Sequence, residues 1–319
     1  MGAWYIRPMQ SRLTPSTLFF LLVPPLLWGG NAVVGRMVHD LIPPMTFNLL
    51  RWAIALVLLL PFTARVLRRD SEIWPLWRRF TVLGLLGVGC YNALQYLALQ
   101  TSQPINTTLV GASMPLWMML IGVLFFRTPP TRLQMVGALF SMAGVLVVLA
   151  RGDWHTLRSL HLVPGDAFMV LATIAWSFYS WLLSRPRESA ALRADWPAFL
   201  QAQMVFGCLW AGAFTGVEWA VGAPAVVWGW PLAAALLFVA VCPAILAYGF
   251  FAVGVQRVGP NVAAFFSNLI PLFAALLSTA FLGEPPRPFH AVAFALIVAG
   301  IVLSARRAPA TTPAAASDQ

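Results

Sequence analysis

The strongest constraint on the fold is a succession of apolar stretches, each about as long as a bilayer is thick. A membrane-spanning helix needs about 20 mostly apolar residues, and the 319-residue chain contains ten segments that fit this rule. They cover residues 16–37, 44–62, 79–99, 104–126, 133–150, 164–183, 198–217, 231–253, 261–282 and 289–305. Backbone polar groups in a bilayer must be satisfied within the segment, so each stretch is predicted to be a helix. The predicted fold class is an all-α polytopic membrane protein with ten transmembrane helices.

Composition excludes a soluble protein and argues against a nucleic-acid partner. Hydrophobic residues make up 60% of the chain and charged residues 9%, against about 25% charged residues in soluble domains. The net charge is +10, and all 20 basic residues are arginines. They lie in short clusters between apolar runs rather than on one continuous basic face, so no nucleic-acid partner is predicted.

The distribution of the arginines predicts the orientation of the chain in the membrane. With the amino terminus inside, about fifteen arginines fall in cytoplasmic segments and about four outside. Both termini are therefore predicted to be cytoplasmic, with residues 1–15 as a short stub and 306–319 as a disordered tail rich in Ala, Pro and Thr. The predicted partners are the lipid bilayer and a small-molecule substrate.

An internal repeat divides the chain into two halves. When the sequence is shifted by 156 residues, Pro104 falls on Pro260, Pro115 on Pro271 and Gly144 on Gly300. A slightly different shift places Trp28 on Trp176. The halves are predicted to be 16–150 and 164–305, joined by a loop at 151–163, each with five spans. An odd number of spans inverts the second half, which is typical of carriers that work by alternating access.

Several motifs resemble the EamA-type branch of the drug/metabolite transporter superfamily across about residues 16–305. They are Leu27-Trp28-Gly29-Gly30-Asn31, Arg51, Tyr96-Leu97-Ala98-Leu99, Pro115, Pro271, Leu282-Gly283-Glu284-Pro285 and Ala299-Gly300. The first half has Arg127-Thr128 where the second has Gly283-Glu284, so a role that needs the acid in both halves is in doubt.

The resemblance implies a bacterial inner-membrane location and export of small metabolites, often amino acids. Some similar proteins export aromatic amino acids. The resemblance also implies a substrate cavity among helices 1, 3, 4, 6, 8 and 9, with helices 5 and 10 at the periphery.

Polar and aromatic side chains inside the predicted spans are the candidates for substrate binding, because polar groups are costly in hydrocarbon. The third span offers two helix faces, Asn92 with Tyr96 and Tyr91 with Gln95, and only one is expected to face inward. Hydrogen bonds to neighbouring helices would explain these residues equally well. The other candidates are Trp28, Asn31, Ser113, Trp176, Tyr179, Tyr248, Ser267 and Asn268.

Two prolines and one arginine complete the set. Pro115 and Pro271 are predicted to kink equivalent helices and to free a backbone carbonyl one turn earlier. The kinks could coordinate substrate or serve packing alone. Arg51 could contact a substrate carboxylate, but snorkelling outward or pairing with Asp40 is the favoured interpretation.

Features absent from the sequence narrow the mechanism. No carboxylate is expected at mid-membrane, which favours a facilitator, or coupling through an acid at a helix end, over a proton relay. No nucleotide loop, heme ligand pair or metal cluster appears, so no cofactor and no enzyme activity are predicted. An intramembrane hydrolase using Ser113 and His290 is a remote alternative. Small residues such as Gly137 and Ser141 would suit internal packing or a homodimer.

The predicted function is a secondary carrier or facilitator that exports amino acids, with neutral or aromatic ones favoured. A multidrug or other metabolite efflux carrier is the alternative. A sugar-phosphate carrier is disfavoured, because a phosphate needs several inward-facing cations and only Arg51 is available.

Overall fold

The computed structural model describes residues 13–306 except 39, 103, 151–152, 154, 159–160, 162, 223–224 and 283–286. Helix makes up 83% of the described residues, and these residues contain no strand. The predicted stub and tail, part of the 151–163 loop and the Gly283-Glu284-Pro285 motif lie outside the described residues. Short helices lie at Ala64–Leu67, His155–Arg158 and Ala190–Ala194. The principal helices are α1 Pro15–Met37, α2 Pro44–Thr63, α3 Trp77–Thr101, α4 Pro104–Ala112, α5 Met114–Phe126, α6 Arg132–Ala150, α7 Pro164–Leu183, α8 Trp196–Ala220, α9 Trp230–Val258, α10 Pro260–Ser267, α11 Ile270–Leu282 and α12 Pro288–Ala305.

An all-helical polytopic membrane protein is confirmed. Among the described residues, eight helices are long and apolar enough to cross a membrane. A ninth is added if residues 106–112 and 114–126, which meet at a bend of 41°, form one span. The count of ten spans and the location of the termini remain predictions.

The repeat is visible in the helix boundaries themselves. α4, α5 and α6 begin at residues 104, 114 and 132, and α10, α11 and α12 begin 156 residues later, at 260, 270 and 288. Both α3 and α9 contain one π-helical segment, Gly84–Cys90 and Ala240–Leu246, again 156 residues apart. A π segment is rare and often marks a functional site, so its recurrence at the same offset indicates that the two halves share one backbone design.

The equivalent helices α6 and α12 run antiparallel where they touch. A Cβ on Gly144 of α6 would lie 2.9 Å from the Ala293 carbonyl oxygen of α12. Conversely, a Cβ on Gly300 of α12 would lie 2.6 Å from the Gly137 carbonyl oxygen of α6. These reciprocal contacts show that a local twofold axis between the two helices relates α6 to α12. The small residues Gly137 and Ser141 are thereby used inside the chain, against α12.

The end of the molecule where α3 begins and α7 ends is held closed by an ion-pair network. The Arg79 Nε donates to Glu188 Oε2 at 2.5 Å, and the Arg193 Nη1 donates to Glu188 Oε1 at 2.9 Å. Ser189 hydrogen-bonds Glu72, and Arg65 pairs with Asp195. Buried aromatic rings such as Phe80 and Phe199 pack directly beneath this network.

Candidate functional site

A large cavity of about 660 Å³ penetrates the bundle from the opposite end. Its entrance lies where α1 ends, α2 begins and α3 ends, and the lining residues Leu99 and Gln100 are exposed there. Inward, the cavity stops at Trp28, Trp176 and Tyr248. The walls come from α1, α3, α4, α5, α7, α9, α10 and α11, which form the predicted spans 1, 3, 4, 6, 8 and 9 that the resemblance implies. In addition, Pro44 and Phe47 of α2 line the cavity. Helices α6 and α12 correspond to the predicted spans 5 and 10, which the resemblance places at the periphery. Within the described part of the chain, they contribute no lining residue.

The closed end of the cavity is an aromatic floor formed by Trp28, Tyr91, Trp176 and Tyr248. The Trp176 ring is at its centre, with centroids 4.8 Å from Tyr91, 5.1 Å from Tyr248 and 5.4 Å from Trp28. Most of these pairs are edge-to-face or tilted, the geometry that ring quadrupoles favour. The repeat-equivalent tryptophans Trp28 and Trp176 therefore meet directly at the centre of the molecule. The Trp28 indole N–H also donates to the carbonyl of Pro243 in the second π segment, at 3.2 Å.

A polar wall rises from this floor and consists of Asn31, Asn92, Gln95 and Tyr96. The expectation that only one face of the third span points inward is wrong, because all four candidates of α3 line the cavity. Consecutive residues on a helix are about 100° apart, so two adjacent faces can both border a wide cavity. Asn92 is the best anchored of them: its Nδ2 donates to the Tyr248 hydroxyl at 2.9 Å.

Among the described residues, four buried polar atoms on lining residues have no hydrogen-bond partner. They are Asn31 Oδ1, Tyr96 Oη, Trp176 Nε1 and Ser267 Oγ. A buried polar group without a partner costs free energy, about 1–3 kcal/mol. A set of both donors and acceptors around one cavity fits a ligand that carries polar groups of both kinds.

The break between α10 and α11 borders the cavity, whereas the equivalent break between α4 and α5 lies partly outside it. Ser267, Asn268 and Pro271 all line the cavity where α10 gives way to α11, and Asn268 donates to Ser141 of α6 at 2.8 Å. In the first half, the chain turns at Ser113 between α4 and α5, just before Pro115. Ser113 and Pro115 do not line the cavity.

Three candidate side chains lie away from the cavity surface. The Ser113 hydroxyl donates to the Val110 carbonyl and accepts from the Trp117 indole, at 2.5 and 3.1 Å. The Tyr179 hydroxyl donates to Gln203 Oε1 at 2.9 Å beneath the floor. Arg51 is fully buried and donates to Asn92 Oδ1 at 3.1 Å. Arg51 does not snorkel, because its guanidinium lies behind Asn92, inside the bundle.

Sequence reasoning missed several lining residues, among them Phe47, Gln100, Ser102, Thr107 and Met169. The sequence offered a signal for Phe47, which falls on Phe199 when the chain is shifted by 152 residues instead of 156. Near the entrance, the buried Asp166 accepts hydrogen bonds from Ser102 and from Asn106, the latter at 3.2 Å. This carboxylate joins the ends of α3, α4 and α7 next to the cavity.

Comparison with known proteins agrees with this architecture. A sequence profile described as "EamA-like transporter family" matches twice, at residues 15–150 and 163–306. A solved crystal structure covers 91% of this chain and 96% of its own with a TM-score of 0.69 at 22% identity, so it shares the fold.

Similar curated proteins are transporters. The uncharacterized transporter YyaM of Bacillus subtilis is 24% identical over 78% of this chain and 79% of its own length. The uncharacterized inner membrane transporter YedA of Escherichia coli K12 is 25% identical over 87% of both chains. The aromatic amino acid exporter YddG of Ancylobacter novellus is 26% identical over 72% of this chain and 76% of its own. With both halves matched by the family profile, the chain belongs to the EamA-like transporter family and is a transmembrane transporter of small molecules.

Proposed function

We propose that the protein exports amino acids, with neutral and aromatic ones favoured, across the bacterial inner membrane by alternating access. The observation that carries the proposal is the makeup of the cavity. Its described lining contains no charged side chain, its floor is aromatic and its wall is made of amides and hydroxyls. About 660 Å³ lies within the 300–1,000 Å³ typical of small-molecule sites.

The side chain and the ammonium group of an amino acid each have a matching group in this cavity. The aromatic floor suits an apolar or aromatic side chain by edge-to-face packing. The ammonium group can donate to Asn31 Oδ1, which has no partner in the protein, and can lie over an indole face. The similarity to the aromatic amino acid exporter YddG supports this substrate class.

The transport cycle follows from the inverted halves. With both termini in the cytoplasm, as the arginines predict, the cavity opens to the outside and the Arg79–Glu188–Arg193 network closes the cytoplasmic end. Rocking one half against the other would break that network and open the cytoplasmic end. No carboxylate lines the described cavity, so the carrier is proposed to be facilitative, with Asp166 at the entrance as the nearest candidate for proton coupling.

Counterflow of labelled amino acids into proteoliposomes tests the proposal. Aromatic, aliphatic and charged substrates are compared, with and without an imposed proton gradient. Saturable exchange of neutral or aromatic amino acids is expected, with little response to the gradient. Exchange of cationic drugs alone would favour the multidrug alternative, and strong acceleration by the gradient would contradict the facilitative mechanism.

Two matched tyrosine variants test whether the transported substrate binds in the cavity. Tyr96→Phe removes a hydroxyl that faces the cavity without a partner, and it is expected to raise KM about threefold to tenfold. Tyr179→Phe removes a hydroxyl bonded to Gln203 beneath the floor and is expected to leave KM unchanged. Equal effects of the two changes on KM would mean that the substrate does not bind at the polar wall.

A further inference from the structure

Arg51 is a permanently charged group buried completely within the membrane-spanning bundle. Its exposed fraction is 0%, and its Cζ lies 5.1 Å from the Trp52 ring and 6.0 Å from the Tyr248 ring. A guanidinium is not deprotonated in proteins. Burying such a charge is costly unless an anion or a full set of acceptors compensates it.

The protein itself supplies only part of this compensation. The Nη1 donates to Asn92 Oδ1 at 3.1 Å, whereas Nε and Nη2 have no hydrogen-bond partner in the part of the chain that the structure describes. Within the described residues, no carboxylate forms an ion pair with Arg51. The Arg51 guanidinium therefore has two donor atoms without acceptors and a positive charge without a counterion. A carboxylate is complementary to both.

A short hydrogen-bond chain connects this charge to the cavity. Because Asn92 Oδ1 is engaged by Arg51, the Asn92 amide is oriented with its N–H groups away from the guanidinium. One of them donates to the Tyr248 hydroxyl, which in turn donates to the carbonyl of Gly87, both at 2.9 Å. Asn92 and Tyr248 both line the cavity. The positive charge is thus one side chain behind the cavity surface and polarises the groups in front of it.

We propose that Arg51 makes the cavity selective for a carboxylate. It does so by holding Asn92 as a hydrogen-bond donor and by placing a positive potential at the floor. Zwitterionic amino acids and other small carboxylates fit this potential, whereas cationic amphiphiles are repelled by it. The inference rests on the proposed function and specifies which group of the substrate is recognised. Arg51 acts here as a positioning residue.

Wild-type protein in proteoliposomes provides the first test, without any substitution. Counterflow of labelled tryptophan is competed with unlabelled tryptophan, tryptophan amide or tryptamine. The three share the indole and the amino group, but only tryptophan has the carboxylate. We expect the amide and the amine to compete at least about tenfold more weakly than tryptophan, because each lacks the charge-assisted hydrogen bond of the carboxylate.

Three variants test whether Arg51 causes the preference for a carboxylate. Arg51→Gln is expected to raise the KM for tryptophan about tenfold or more, while the inhibition constant of the amide stays within about twofold. Arg51→Lys keeps the charge and should retain most of the preference. Arg185→Gln makes the same substitution at an arginine bonded to the Phe126 carbonyl, outside the cavity, and should leave the preference unchanged.

The outcomes separate the two proposals. If wild-type protein exchanges tryptophan but the amide competes equally well, the role of Arg51 is wrong and the amino-acid carrier stands. If no amino acid is exchanged, the proposed function fails and the inference fails with it. A purely structural role would weaken acid and amide alike in Arg51→Gln. Should that variant not fold, the acid–amide comparison in wild type still decides for or against carboxylate selection.

Discussion

Helices α3 and α9 share one backbone design but carry different chemistry. Each contains a π segment, at Gly84–Cys90 and at Ala240–Leu246. The residues of the polar wall that follow the first segment are Asn92, Gln95 and Tyr96, and their equivalents 156 residues later are Tyr248, Phe251 and Ala252. The first half therefore supplies the whole polar wall, whereas the two halves contribute equally to the aromatic floor, with Trp28 and Tyr91 from the first and Trp176 and Tyr248 from the second.

This difference shows which property each half contributes to transport. A symmetric backbone can be exchanged between two states, because each half can adopt the conformation of the other. Asymmetric side chains mean that the two states do not bind the substrate equally. On the closed side, the equivalents of Gln95 and Tyr96 are the apolar residues Phe251 and Ala252. We therefore expect different KM values for exchange measured from the two sides of the membrane.

The largest expected effect comes from truncating the two equivalent tryptophans separately. Trp176 is 2% exposed and touches five aromatic rings, whereas Trp28 is only half-buried. Trp176→Ala should destabilise the protein by about 3–5 kcal/mol, as for other large core truncations, and abolish exchange. Trp28→Ala should cost clearly less stability and mainly weaken binding. Thermal unfolding in detergent measures both, and equal losses would mean that the two halves contribute alike to the core.

A second prediction concerns the close contact that the first π segment allows. A Cβ on Gly84 would lie 2.6 Å from the backbone nitrogen of Gly207 in α8. Gly84→Ala should therefore cost about 1–3 kcal/mol by overpacking and lower the unfolding temperature. Gly216→Ala is the matched control on α8, because nothing lies within 4 Å of its added Cβ. A Gly84→Ala protein as stable as wild type would show that α3 and α8 can separate freely.

The sequence predicts the helices well and the site only in part. Segment length and apolarity depend on the bilayer alone, so the ten predicted segments lie within a few residues of the observed helices. Sequence periodicity shows which residues share a helix face but does not indicate which neighbour that face meets. For that reason Tyr179, an equally plausible aromatic, bonds Gln203 beneath the floor, and Arg51, expected to reach the interface, is buried behind Asn92.

A third and smaller effect is expected where the two halves meet through hydrogen bonds. Asn92 and Tyr248 are repeat equivalents that bond each other directly, at 2.9 Å across 156 residues. Tyr248→Phe should cost about 1 kcal/mol because the Gly87 carbonyl also loses its donor. In a double-mutant cycle with Asn92→Ala, the coupling energy should be about 0.6 kcal/mol, the average for buried pairs in a membrane protein. A coupling of zero would mean that the pair does not hold the halves together.

The smallest expected effect is a pH dependence at the closed end, where the halves also differ. Arg79 of the first half pairs with Glu188, but the residue equivalent to Arg79 in the second half is Ala235. Burial raises the pKa of the Glu188 carboxyl, but the hydrogen bonds and charge of Arg79 oppose this and leave the pKa below its ordinary value of 4.5. A lowered pKa in the folded state means that the pair stabilises the protein above pH 4.5, and that this stability is lost as the pH falls through the lowered pKa.

Glu188→Gln tests this by removing the titrating group while keeping the size of the side chain. The variant should unfold at a lower temperature than wild type at pH 7, and the difference should shrink as the pH falls below 4.5 because only wild type loses a charged pair. Arg79→Gln should show the same convergence, since it removes the partner that lowers the pKa. If instead the unfolding temperatures of Glu188→Gln and wild type fall in parallel, the network does not titrate in this range. The closed end would then be held by the packing of Phe80 and Phe199, and its opening would not respond to acid.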